Sequence, residues 1–129
     1  MKNEDRKALI ARLMDETLPA LRKLVRSCAP KLPDGWRAPR IRTAEYVTDG
    51  LPFGLFVLEV CDPTETFVTV WDWKTFPVGI LGQQYLAGMR TAAPWSIPNA
   101  VCEALWPVLD YFDHGLERAA TERAALAIR

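Results

Sequence analysis

The apolar side chains change their spacing partway along the chain, and this change limits the folds that the sequence can adopt. Between residues 3 and 28 they recur every three or four positions, the spacing of one helix face, with Pro19 on the polar side. Between residues 41 and 73 they follow a period of two, which is typical of β-strands. A long N-terminal helix followed by a sheet predicts an α+β fold.

Turn residues divide the β-region into three predicted strands. The strands are Ile41–Thr48, Phe53–Cys61 and Thr66–Trp73, joined by loops at 49–52 and 62–65 and preceded by a proline-rich connector at 29–40. Short loops predict a three-stranded antiparallel meander. If both loops contain four residues, Thr48 lies opposite Phe53 and Arg42 lies opposite Glu59.

Both faces of this meander are rich in apolar side chains, whereas an open antiparallel sheet usually has one polar face. The first face suits a hydrophobic core: Phe56, Leu58, Val60, Phe67, Trp71 and Trp73. The second face is a predicted interface: Tyr46, Phe53, Leu55, Val57, Val68 and Val70. A short helix within residues 76–95 or a second copy of the chain could cover that second face.

The segment from residue 76 to residue 129 is predicted to be mostly helical. Its two signals are a weak helical spacing around Tyr85, interrupted by Gly82 and Gly88, and an apolar stripe from Val101 to Phe112. With a length of 129 residues, the chain is predicted to form one domain, residues 1–129. Two or three C-terminal helices are expected to pack on the sheet.

Several common chemistries are absent from the sequence. It contains no glycine-rich dinucleotide fingerprint, no phosphate-binding P-loop and no nucleophile elbow around a serine. The three cysteines, Cys28, Cys61 and Cys102, are widely spaced, and there is a single histidine. This pattern predicts neither a disulfide framework nor a metal site, and no cofactor is expected.

Three residues are weak catalytic candidates. Asp110 and His114 lie four positions apart on a predicted helix, where a carboxylate can orient an imidazole as a general base. A histidine in the last helical turn is explained as well by the helix dipole. Glu59 lies in an otherwise apolar strand, and an ion pair with Arg42 accounts for it without any catalytic role.

Charge is divided unevenly along a chain whose formal net charge is zero. Residues 1–42 contain eleven basic and five acidic side chains, and residues 43–113 contain two basic and nine acidic ones. Such a basic segment could bind nucleic acid, with a tryptophan for stacking: Arg22, Lys23, Arg26, Lys31, Trp36, Arg37 and Arg40. The acidic side chains within the segment and the neutral total charge argue against this alternative.

A ligand pocket is the other alternative. It would lie between the meander and residues 76–95: Trp71, Asp72, Trp73, Gln84, Tyr85 and Trp95. The leading hypothesis is a small, non-enzymatic protein that associates with itself as a homodimer, or with another protein, in an accessory or inhibitory role. The chain has no apolar run long enough to cross a membrane, so a cytoplasmic location is expected.

Overall fold

The computed structural model describes residues 3–80, 83–91 and 95–116, and side chains within 4–12, 14–75 and 95–113. Its elements are α1 (Asn3–Cys28), a 3₁₀ turn (Ala29–Lys31), β1 (Arg37–Thr48), β2 (Leu51–Cys61), β3 (Phe67–Ile80), β4 (Gln83–Thr91), α2 (Asn99–Ala104), α3 (Trp106–Asp110) and a π-helical turn (Tyr111–Leu116). This order confirms the predicted α+β class, with the helix first, then an antiparallel sheet, then short helices.

The sheet contains four antiparallel strands in the order β1-β2-β3-β4. Residues 76–80 and 83–91, predicted to be helical, instead complete β3 and form β4, in which Met89 lies opposite Lys74. That part of the helical prediction is wrong, because the helical spacing of a few apolar residues is outweighed by pairing along the edge of β3. The segment therefore widens the sheet.

The β1–β2 hairpin turns through two residues rather than four. Asp49 and Gly50 have φ angles of 52° and 76°, as a type I′ turn requires, and Thr48 lies opposite Leu51. The predicted register is therefore wrong by two residues. Because side chains alternate with a period of two, this even shift leaves every β1 residue on its expected face.

The β2–β3 hairpin turns through three residues, with Glu65 in the left-handed region at a φ of 66°. Asp62 organises this turn: its Oδ1 accepts hydrogen bonds from the backbone N–H groups of Thr64 and Thr66 and from the Thr64 hydroxyl. These hydrogen bonds lower the pKa of Asp62, and the bond from the Thr64 side chain has the largest effect.

A β-bulge in β3 changes the predicted faces of that strand. Leu58 lies opposite Trp71 and Glu59 opposite Thr69, so Val70 is the unpaired extra residue. Val70 is fully buried and Val68 packs against the core. Their assignment to the second face and that of Phe67 to the first are therefore wrong, because the extra residue reverses the alternation before Trp71.

The helices form a second layer on one face of the sheet. Gly54 allows α1 to approach β2 closely, since a Cβ there would lie 2.6 Å from Met14 Sδ and 2.8 Å from Ile10 Cγ2. The ring of Phe112 packs on Phe56 at 5.0 Å between centroids. One core joins the two layers: Ile10, Leu21, Val25, Phe56, Leu58, Val60, Trp71, Trp73, Val101, Leu105 and Leu109.

Candidate functional site

The opposite side of the sheet, called here the open face, is the candidate site. Its residues alternate with those of the core face and pair across the strands: Arg40, Arg42, Ala44 and Tyr46 on β1; Phe53, Leu55, Val57 and Glu59 on β2; Phe67, Thr69, Asp72 and Lys74 on β3. Within the described parts of the chain, α1, α2 and α3 contribute their buried residues to the core on the other side. The open face therefore has no described helix over it.

One end of the open face is apolar. The rings of Tyr46 and Phe53 stack with centroids 5.5 Å apart, and Tyr46 remains 50% exposed. Leu55 and Val57 continue this surface along β2 and are half-buried. Lys74 lies over the Phe53 ring, with its Nζ 5.8 Å from the centroid. These contacts place a strip of apolar side chains along the middle of the face.

The other end of the open face holds a charged cluster. Glu59 is only 7% exposed, and its Oε1 lies 3.0 Å from Arg40 Nε and 2.9 Å from Arg42 Nε. The Arg40 guanidinium also stacks 3.5 Å from the centre of the Phe67 ring. The ion pair that the sequence predicted between Arg42 and Glu59 is thus present, now as a diagonal contact. The two guanidinium groups account for the carboxylate at Glu59.

Asp72 is the polar residue of the open face with an unused hydrogen-bonding atom. Its Oδ1 is buried and has no hydrogen-bond partner among the described residues. Arg42 on β1, Val57 on β2 and Asp72 on β3 lie in one row across the sheet. A buried acceptor without a donor is costly, and the side chain of Thr91, which lies opposite Asp72 on β4, is outside the described part of the structure.

The pocket predicted between the tryptophans and residues 76–95 does not form among the described residues. Trp71 and Trp73 are buried in the core, where Trp73 stacks on Phe112 at 3.9 Å between centroids. Trp73 also donates a hydrogen bond from Nε1 to Asp113 Oδ1 at 3.3 Å. Asp72 faces the other side of the sheet, and Trp95 is 98% exposed.

Two further residues of that predicted pocket lie in β4. Gln84 is opposite Gly79, and Tyr85 is opposite Val78. Their side chains lie outside the described part of the structure. Both residues pair with β3 residues that follow Trp73 in the chain. The segment from Trp71 to Trp73 pairs with β2.

A cavity of about 210 Å³ lies elsewhere, where the start of α1 meets the β1–β2 hairpin. Its lining combines apolar residues with one cation and one anion: Lys7, Ile10, Glu45, Tyr46, Val47, Pro52 and Phe53. The sequence does not predict this cavity, because a cavity between two elements depends on how they pack together. The periodicity of neither segment indicates that packing.

The basic residues proposed for nucleic-acid binding are divided between the two layers. Arg22, Lys23 and Arg26 are exposed on α1, and Lys31 is exposed in the 3₁₀ turn. Arg37 forms an ion pair with Glu65 at 3.1 Å, and Arg40 shares Glu59 with Arg42. Trp36 packs against the core rather than standing free for stacking. This arrangement does not bring the predicted set together on one surface.

The remaining candidates give no catalytic arrangement that can be described. Asp110 is exposed on α3, and the side chain of His114 lies outside the described residues. Cys28 and Cys61 are buried free thiols, and burial raises the pKa of the Cys102 thiol. Over the described side chains, no cluster of His, Cys, Asp and Glu could hold a metal ion.

Comparisons of the chain with protein-family models, with curated proteins and with solved structures find no match. Among the helices that the structure describes, none combines the length and the apolar character needed to cross a bilayer. Interpretation of function therefore depends on the two sheet faces and on the cavity.

Proposed function

We propose that this protein acts by binding another polypeptide through the open face of its sheet. The observation that carries the proposal is the conformation of residues 76–80 and 83–91, part of the segment expected to cover this face. They form strands instead, so Leu55 and Val57 have no helix over them among the described residues. Apolar sheet surface of this kind is typical of protein interfaces.

The energetics favour an occupant that covers several strands at once. Removal of apolar surface from water contributes about 25 cal/mol per Å², so partial burial of a few side chains gives only a few kcal/mol. An extended polypeptide surface can contact the aromatic end, the strip along β2 and the charged cluster together. A small ligand would contact only one of them.

The composition of the face supports a protein partner over nucleic acid. Arg40 and Arg42 share the carboxylate of Glu59, and Asp72 adds a second negative charge beside them. Nucleic-acid binding relies on an excess of cations that neutralise phosphates. A face with both signs of charge around an apolar strip instead resembles the mixed surfaces of protein interfaces.

A substitution on each side of the sheet tests this proposal. Leu55→Glu places a charge on the apolar strip opposite Lys74, a cation that accommodates it in the isolated chain. Trp106→Glu is the matched control: Trp106 is also an exposed apolar residue, but it lies on α3 in the helical layer. Each protein is immobilised, and the retained polypeptides, its own chain included, are quantified by mass spectrometry.

The expected result is that the wild-type protein and Trp106→Glu retain the same polypeptides, whereas Leu55→Glu loses them. Thermal unfolding of all three proteins shows whether the fold is kept. Equal retention by the three folded proteins, or no retention by the wild type, would contradict the proposal.

The cavity near the β1–β2 hairpin supports small-molecule binding as a second candidate function. Lys7 and Glu45 bring opposite charges to a space of about 210 Å³ that has apolar walls including Ile10. Charges of this kind suit a compact zwitterion with an apolar group. Calorimetric titration with phenylalanine, phenethylamine and 3-phenylpropionate should show binding of the first only, weakened by Lys7→Gln. No heat beyond dilution from all three would reject this candidate ligand class.

A further inference from the structure

We infer that the occupant of the open face is a second copy of this chain, arranged about a two-fold axis that runs along β2. The inference rests on the proposed function and names its partner. Its basis is the position of one cation and one anion on opposite sides of β2. In this arrangement they form two ion pairs between the copies.

The residues of the open face lie in rows across the strands. One row is Arg42, Val57 and Asp72, on β1, β2 and β3 respectively. The next row toward the apolar end is Ala44, Leu55 and Lys74. In the first row a cation and an anion thus flank an apolar residue on the central strand.

A two-fold axis along β2 maps each row onto itself in reverse. It places β1 of one copy over β3 of the other, so Arg42 faces the second copy's Asp72 and Asp72 faces the second copy's Arg42. Val57 and Leu55 then meet their own counterparts on the axis. A two-fold interface requires this reciprocity, in which each contact occurs twice.

Other axes give poorer matches. An axis across the strands would set the aromatic row of Tyr46 and Phe53 against the charged cluster and leave charges without partners. An axis between β2 and β3 would set Val57 against Asp72. Only the axis along β2 opposes apolar to apolar residues and Arg42 to Asp72 within the described strands.

Distances and charge agree with this arrangement. Two sheets that pack face to face lie about 10 Å apart, a gap that a long arginine and a short aspartate side chain span together. The Arg42 side chain remains 61% exposed although its Nε contacts Glu59, so its terminal nitrogens are accessible. Glu59 also lies on β2 and meets the second copy's Glu59 on the axis, where the Arg40 and Arg42 side chains of each copy offset its charge. Arg40, Arg42, Glu59 and Asp72 together carry two positive and two negative charges, so the charged ends do not repel strongly.

Asp72 is able to take part in this pairing. Its Oδ1 is buried without a hydrogen-bond partner among the described residues, but the residue as a whole is only half-buried. The negative charge of a carboxylate is shared by both oxygens, so an arginine that arrives from the second copy can pair with the accessible part of the group.

The size of the contact predicts a reversible dimer. Three overlapping strands at about 4.8 Å spacing and about 30 Å length cover roughly 14 by 30 Å, about 420 Å² in projection. A standard interface buries about 800 Å² on each partner. We therefore expect a concentration-dependent equilibrium between monomer and dimer.

The decisive experiment mixes two charge-reversed variants. Arg42→Asp places two aspartates in the row, and Asp72→Arg places two arginines in it, so each variant should repel its own copy. In an equal mixture, the aspartate introduced into one variant would face the arginine introduced into the other, and the unchanged Asp72 of the first would face the unchanged Arg42 of the second. Sedimentation velocity over a range of concentrations measures the dissociation constants of the wild type, each variant and the mixture.

We expect a wild-type dimer, at least tenfold weaker dimerisation of each variant alone, and recovery in the mixture. Restoration by mixing cannot arise from a contact within one chain. Circular dichroism verifies that each variant is folded. If either reversal unfolds the chain, the milder pair Arg42→Gln and Asp72→Asn replaces it, and each should weaken dimerisation about threefold or more.

The outcomes separate this inference from the proposed function. A wild type that is monomeric throughout overturns the second copy as partner and leaves the capture experiment with Leu55→Glu as the test of the open face. A dimer abolished by Leu55→Glu but unaffected by either charge reversal overturns the two-fold arrangement alone. A dimer that is unaffected by Leu55→Glu overturns the second copy as the occupant of the open face, and the capture experiment then tests the proposed function alone.

Discussion

Strand β2 presents nearly the same kinds of side chain to the two sides of the sheet, yet the two sides differ in what they meet. Phe56, Leu58 and Val60 are almost completely buried beneath the helices. Phe53, Leu55 and Val57 alternate with them and are only half-buried. The strand thus has the composition of a central strand in a structure with layers on both sides. The comparison shows that the described fold supplies one of those layers.

The largest expected effect comes from truncating one leucine on each side. Leu58→Ala removes a fully buried side chain and should lower the free energy of unfolding by about 3–4 kcal/mol, because it leaves a cavity in the core. Leu55→Ala should cost about 1 kcal/mol or less in the monomer. Urea denaturation at a concentration at which the protein is monomeric measures both. Equal losses would show that the two sides are equally covered.

Gly54 tests how closely α1 lies against the covered face. In Gly54→Ala the added Cβ would lie within 3 Å of Met14, Ile10 and Thr75 atoms, so unfolding should become easier by about 1–3 kcal/mol. Adding Met14→Ala to this variant supplies space. The double variant should therefore lose less stability than the sum of the two single losses, and strict additivity would argue against the close contact.

Glu59 is the exception on the open face, since it is buried there under two arginines. Glu59→Gln leaves Arg40 and Arg42 side by side without a carboxylate, and should cost about 1 kcal/mol at low salt, given that both arginines are substantially exposed. The loss should shrink in high salt, where repulsion between the guanidinium groups is screened. A loss independent of salt would point to packing instead of charge.

The smallest expected effect is a gain, in the turn that holds β2 and β3 together. Glu65→Gly should raise the free energy of unfolding by about 0.5–1 kcal/mol, because glycine adopts the φ of 66° without strain. The lost ion pair with Arg37 is exposed and contributes little. Glu65→Ala loses the same ion pair and keeps the strain, so it should show no gain in the same denaturation assay.

The sequence predicted most of the fold where local chemistry decides it. The bounds of α1 follow from its apolar spacing, and the pairing of Arg42 with Glu59 followed even from a register wrong by two residues. Asp49-Gly50 carries the signal of a two-residue turn, but the predicted loop extends to Pro52. That error is local, and the open face keeps its residues on β1 and β2.

The parts that could not be predicted depend on distant partners. Residues 83–91 become strand because β3 provides an edge to pair with, and their own sequence gives no strong alternation. The bulge at Val70 moves Val68 and Val70 into the core, and only the pairing with β2 reveals it. The candidate site was therefore predicted on two strands and misassigned on the third.

The order of the strands has a consequence for how the chain acquires its structure. Strands that are consecutive in the chain are also adjacent in the sheet. The hairpins therefore close through short loops, at a low entropic cost. Helix α1 is synthesised first, but it packs against β1, β2, β3 and α3 and has no stable site until these have formed. We therefore expect that the transition state for folding contains the β1–β2 hairpin and that α1 docks on the sheet late.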